Sequence, residues 1–146
     1  MKLNLTIDPS ITETVVSVTA SEVDADVRAI QNLVAGAQSQ RVVGMRGSEA
    51  VVMDVRSVLA FFTKDKTVYA HTANGDWRIK LRLYELEEML PSSDFVRISQ
   101  SEIVNISAIS RLDLSASTAM CVLLKDGTRY YVSRRQLKAF KKALGL

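Results

Sequence analysis

Asp94-Phe95-Val96-Arg97-Ile98-Ser99-Gln100-Ser101-Glu102-Ile103-Val104-Asn105-Ile106 decides the fold of this 146-residue chain. It holds two short β-prone runs, Phe95–Ser99 and Ile103–Ser107, with polar residues between them. The pattern repeats on both sides. Upstream, Arg41–Met45, Glu49–Met53, Val58–Thr63 and Thr67–Thr72 read as strands, and Asn74-Gly75 is a tight-turn signal. Trp77, Ile79, Leu81 and Leu83 alternate with Arg78, Lys80 and Arg82, which predicts a half-buried strand with a basic outer face. Leu83, Leu86 and Leu90 predict a short amphipathic helix that ends at Pro91-Ser92-Ser93. Downstream, Ser110–Ser115, Met120–Lys125 and Arg129–Ser133 are strand-like, and Asp126-Gly127 joins the last two as a hairpin. Ser133 is placed to cap a final helix whose Leu137, Phe140 and Leu144 face the core, with Lys138, Lys141 and Lys142 outward. The expected class is mainly β with short helices, α+β.

The first 40 residues read differently. Leu3, Leu5 and Ile7 alternate with polar neighbours, Asp8-Pro9-Ser10 is a turn, and Glu13–Thr19 is a second strand. Ser21-Glu22-Val23-Asp24 reads as a helix start with Ser21 as cap, Val23, Val27, Ile30 and Val34 recur at helical spacing, and Gly36 is the stop. Ala37-Gln38-Ser39-Gln40 reads as a linker or loop. The expectation is a β-β-α extension over residues 1–40, serving dimerisation or partner docking, and a separate domain over 41–146.

Hydrophobic residues make up 47%, enough for a core. No apolar run approaches the ~20 residues that span a bilayer, and the start lacks the apolar stretch of a secretory signal. A cytoplasmic location is the expectation. The single cysteine, Cys121, lies in an apolar run and reads as a buried thiol, and the single histidine, His71, as a structural or surface residue. No nucleophile–base pair, metal-ligand spacing or phosphate-cradling glycine loop stands out, so neither an enzyme nor a cofactor or small-molecule substrate is expected. Charge divides sharply. Residues 1–40 hold two cations against five acids, −3, so the rest of a chain of net +3 carries +6. After Asp126 there is no acid, yet Arg129, Arg134, Arg135, Lys138, Lys141 and Lys142 follow. Such a block suits a polyanion, although a solvated basic helix has the same composition.

The opening stretch resembles the signature of the bacterial LytTR family, roughly F-x-R-x-H-x-S-y-I-V-N, with Ser99 in place of the histidine and Glu102 in place of an aromatic. Leu83-Tyr84-Glu85-Leu86-Glu87-Glu88-Met89-Leu90 is similar to the family's L-x-x-L-E-x-x-L segment. Lys125-Asp126-Gly127-Thr128 and Val132-Ser133-Arg134-Arg135 resemble its closing block. The resemblance runs from about Val51 to Leu146. It implies an elongated β domain that binds double-stranded DNA through loops and regulates transcription. Carried over by position, one loop holds Arg97, Ser99, Gln100 and Ser101, a second holds Arg134, Arg135 and Lys138, and the turn Asn74-Gly75-Asp76-Trp77 makes a third contact.

The chemistry of these side chains suits those roles. Arg135 has the fork that reads guanine, and Gln100 can donate and accept at an adenine edge. Arg97 and Lys138 suit phosphates, as do the backbone N–H groups opening the last helix. Other roles are open to the same residues: Arg97 can pair with Glu102 or another acid, Gln100 can be an ordinary turn residue, and Arg134 and Arg135 can be solvated. Asn105 reads as structural, bonding nearby backbone to end its strand. No receiver-sized domain precedes the motif, so the chain is similar to short, receiver-less regulators of this family, and the resemblance implies a homodimer and a small membrane protein as partners. The alternative expectation is a regulatory protein–protein module that does not read DNA.

Overall fold

The computed structural model describes residues 1–37, 40–114 and 119–146. The linker reading at Gln38 and Ser39, and the strand end at Ser115, lie outside the described residues. The chain divides into two compact units, Met1–Ala37 and Gln38–Leu146.

In the first unit, the strands expected at residues 2–7 and 13–19 do not form: residues 1–24 take no part in a helix or a sheet. A strand requires a partner to satisfy its backbone N–H and C=O groups, and these segments find none within their own chain. The turn is as read, with Ser10 donating its N–H (2.9 Å) and Oγ–H (2.7 Å) to Asp8 Oδ1. Helix α1 spans Ala25–Ala37. Its cap is Asp24 rather than Ser21. Asp24 Oδ1 accepts from Val27 N at 3.0 Å, and Asp24 O accepts the first helical bond, from Arg28 N. The helix continues through Gly36 to Ala37.

The second unit is a seven-stranded and a three-stranded sheet, both antiparallel. Strands β1 (Arg41–Arg46), β2 (Glu49–Asp54), β3 (Val58–Lys64), β4 (Thr67–Thr72), β5 (Gly75–Ile79), β6 (Phe95–Arg97) and β7 (Glu102–Asn105) form the larger, in the order β2-β1-β5-β4-β3-β7-β6. Strands β8 (Ile109–Asp113), β9 (Met120–Leu124) and β10 (Arg129–Val132) form the smaller, in the order β10-β9-β8. Helix α2 spans Leu83–Met89 and α3 spans Arg134–Ala143. Among the described residues, no helix is long and apolar enough to cross a membrane.

The central strands are buried on both faces. Phe61, Val68, Ala70, Ile79, Phe95 and Ile103 pack against Leu83, Leu86 and Leu90 from the α2 segment. Their chain neighbours Ala60, Val96 and Val104 point the other way, onto Met120, Val122, Leu124 and Val132 of the small sheet and Phe140 of α3. Cys121 is buried in β9. The expected strand from Trp77 to Leu83 stops at Ile79. The helix takes over because Arg82 O accepts from Leu86 N while the Glu85 carboxylate accepts from Arg82 N at 3.2 Å. Ser133 stands at the start of α3, but its hydroxyl makes no capping bond. Its backbone anchors the turn instead, accepting from Gln136 N at 3.0 Å and donating to Ile98 O at 2.7 Å.

One device ends two strands. Asp54 Oδ1 accepts from Arg56 N and opens a 3-10 turn at Val55–Ser57, and Asn105 Oδ1 accepts from Ser107 N and opens another at Ile106–Ala108. Buried Asn105 also donates to Val58 O (2.9 Å) and Arg56 O (3.2 Å), so one side chain terminates β7 and ties it to the start of β3.

Candidate nucleic-acid interface

The strand register sorts the candidate residues to two ends of the large sheet. Ala60 pairs with Val104 and Phe62 with Glu102, and Thr63 N donates to Ser101 O at 2.8 Å. Loop 98–101 therefore lies at the Lys64 end of β3. The Ser133–Ile98 bond places the start of α3 beside that loop. Gln100, Ser101, Arg134, Arg135 and Lys138 are all exposed there.

The loop is held from within. The Arg97 guanidinium donates to Ser99 O (2.6 Å), Gln100 O (2.8 Å) and Glu87 Oε2 (2.6 Å). Its acid partner is Glu87 of α2, and the fork is spent on shaping the loop. Ser99 Oγ accepts from Ser101 N and Glu102 N and donates to the Glu102 carboxylate, whose pKa is raised by burial against the lowering effect of Arg97. Two side chains of the loop, Gln100 and Ser101, are thus presented outward.

Lys64 and Lys66 stand at the same end and were not among the sequence candidates. Asp65 and Lys66 both adopt positive φ (51° and 65°), closing a two-residue hairpin between β3 and β4. The signal was a Lys-Asp-Lys sequence between two β-prone runs, combined with the β3–β7 register, which only the fold supplies.

Asn74, Asp76 and Trp77 lie elsewhere. Thr72 pairs with Val58 and Gly75 with Thr72, so this turn sits at the opposite end of β3 from loop 98–101. Five residues of strand separate them, ~17 Å. Arg46 stacks over Trp77 at 3.8 Å, and its Nη2 donates to Asn74 O (2.8 Å) and Asp76 O (3.2 Å). Gly75 has φ +95°, a backbone conformation that favours glycine, while a Cβ there would meet only the movable end of the Arg46 side chain. Asn74 keeps its side chain exposed, half-buried Trp77 is stacked, and the Asp76 carboxylate is bound to His71.

His71 joins the two sheets. Its Nδ1 meets Asp76 Oδ1 at 2.6 Å, and its Nε2 meets Asp126 Oδ2 at 2.6 Å and Thr128 Oγ1 at 3.1 Å. Burial pulls its pKa down, but the bonds to Asp76 and Asp126 outweigh that and raise it above the usual 6.5. For Asp126, burial pushes upward, while bonds from Thr128 and His71 win and lower it below the usual 3.8. A raised histidine stabilises the fold fully below 6.5, and the contribution is lost as pH climbs through the raised value. The Asp126 share is lost as pH falls through its lowered value. His71→Ala is expected to cost about 1 kcal/mol at pH 5.5–6, where partly exposed charge pairs persist, and clearly less at pH 8.5. Urea midpoints of both proteins at the two pH values check this, and an equal loss at both would remove the charged bridge.

The fold and this clustered edge define a β-based nucleic-acid-binding domain. Residues 48–145 match the LytTr DNA-binding domain family, and the chain belongs to it. It is 40% identical to an HTH-type transcriptional regulator of Staphylococcus aureus strain NCTC 8325, over 100% of this chain and 99% of that protein. A regulator of the same description from strain COL matches equally. Its fold is similar to a LytTr DNA-binding domain of a methyl-accepting/DNA response regulator from Bacillus cereus, with TM-score 0.71 and 26% identity over 75% of this chain and 99% of that one. Among the described residues of this chain, strands intervene between every pair of successive helices.

Proposed function

We propose that the chain is a cytoplasmic transcriptional regulator that reads the major groove of duplex DNA through loop 98–101 and the start of α3. The observation that carries this reading is the backbone bond from Ser133 N to Ile98 O. It couples two exposed segments whose side chains have complementary abilities. Arg135 takes the bidentate role at a guanine and Gln100 the donor–acceptor role at an adenine. Arg134, Lys138, Lys64 and Lys66 bind phosphates and set register. Ser99 and Arg97 act as positioning residues, Arg97 in place of the phosphate role expected from sequence. Asn74 makes a further contact along the duplex, with Asp76 and Trp77 shaping its turn. The regulator works as a homodimer on paired half-sites. A small membrane protein restrains it.

The test begins with selection of bound sequences from a random duplex pool. Arg135→Ala is expected to weaken the selected site by about 1–3 kcal/mol and to relax preference at one guanine position. Lys64→Ala is expected to weaken all sequences alike and to lower the salt slope by about one. Equal loss on every sequence for Arg135→Ala makes it a phosphate ligand, and binding insensitive to salt overturns the reading.

A further inference from the structure

Among the described residues, seventeen large apolar side chains are exposed, and eleven of them fall in the first unit. Leu3, Leu5 and Ile7 are 90%, 78% and 79% exposed. They alternate with Lys2, Asn4 and Thr6, the pattern of a strand with one face meant for burial. That strand does not form within the chain, and its backbone groups have no ladder partner. In the same unit, an open groove of about 420 Å³ is lined by Val16, Val18, Ala20, Val23 and Val27, with Glu22 and Gln31 at its polar positions. The first unit thus carries an unpaired amphipathic strand and an unfilled apolar groove.

Charge narrows the occupant. With two cations against five acids, this unit is repelled by anionic lipid and by DNA. In a second copy the contacting parts carry opposite signs, Lys2 on segment 2–7 and Glu22 on the groove. Size is consistent with this. The contact would draw on Leu3, Leu5, Ile7, Val16, Val18 and Val23, all large and exposed, enough for an interface on the scale of the roughly 800 Å² per partner of a standard stable one. Symmetry completes the choice, because an antiparallel ladder between two identical segments is two-fold by construction.

We propose that the first unit is a self-association module: segment 2–7 pairs antiparallel with the same segment of a second copy, and Leu3, Leu5 and Ile7 of each copy seat in the groove of the other. The inference deepens the homodimer of the reading above by naming its surface. It also accounts for the period-2 pattern at 2–7, which has no strand partner among the described residues of one chain.

The test uses the full chain without DNA. Sedimentation equilibrium at tens of micromolar is expected to give twice the mass of one chain. Leu5→Glu is expected to raise the dissociation constant at least 100-fold and to reduce the far-UV β signal. Trp77 emission, which reports the second unit, stays unchanged. Thr6→Lys, on the polar face, keeps the doubled mass. A single-chain mass for the parent protein, or a Leu5→Glu dissociation constant within about tenfold of the parent's over a concentration series, overturns the proposal, and so does equal dissociation of both variants. Binding of Leu5→Glu to one half-site is measured separately. Retained half-site affinity with lost affinity for paired sites is the expected result, whereas absent half-site binding by the parent protein overturns the DNA reading and leaves the mass result standing.

Discussion

Phe140→Ala is expected to destabilise the second unit by about 3–5 kcal/mol, the range for removing a fully buried aromatic ring. Phe140 is completely buried among Ala60, Ile98, Val122 and Val132, the point where α3 meets both sheets. A ten-residue helix has little stability of its own. This one also carries Arg134, Arg135, Lys138, Lys141 and Lys142, whose mutual repulsion opposes helix formation. Docking of Phe140, supported by half-buried Leu137 and Leu144, is what holds it. Duplex affinity should therefore fall by more than Arg135→Ala produces, since the whole basic cluster loses its place. Urea unfolding followed by Trp77 fluorescence measures the first effect and titration with the selected duplex the second. A stability loss under about 1 kcal/mol would show that the cavity collapses or that α3 is held by something else.

Asn105→Ala is expected to cost about 3 kcal/mol. The side chain makes three bonds at the junction of β7 and β3, to Val58 O, Arg56 O and Ser107 N. Truncation strands two carbonyls and one N–H where water has poor access, and each unsatisfied group costs about 1–3 kcal/mol when fully buried. Asn105→Asp separates the donor role from the acceptor role. A carboxylate can still accept from Ser107 N but faces two carbonyl oxygens with no proton to offer, so the variant should be less stable at pH 7 than at pH 4, where a protonated carboxyl can donate. Comparing each variant with the parent at both pH values removes the general acid effect. A pH-independent loss would mean that the amide's donors contribute nothing.

Local signals are legible over much of the second unit and fail in the first, where the alternating pattern at 2–7 and the Ser21 cap do not form. Asn74-Gly75 and Asp126-Gly127 turn where expected, Leu83, Leu86 and Leu90 form the buried stripe of α2, and Asn105 ends its strand through backbone bonds. Long-range pairing was not legible. Nothing in Arg41–Arg46 shows that it must skip β3 and β4 to lie against β5, because ladder bonds are made by backbone groups common to all residues. The same limit hid Lys64 and Lys66, which join the site only through the β3–β7 register. Arg97 stood out in the motif, but its engagement inside the protein did not, since its partner Glu87 lies on a different element. His71 looked isolated because Asp126 is 55 residues away in sequence.

The bond from Ser133 N to Ile98 O is made entirely by main-chain atoms, so no side-chain replacement at either position except proline at 133 removes it. The two surface segments it couples keep their spacing whatever residues occupy positions 100, 134 and 135. If those positions contact bases as proposed, target preference changes one exposed side chain at a time, while the scaffold that sets the distance between them stays constant. Descendants of this chain would then acquire new operators without first solving a new folding problem.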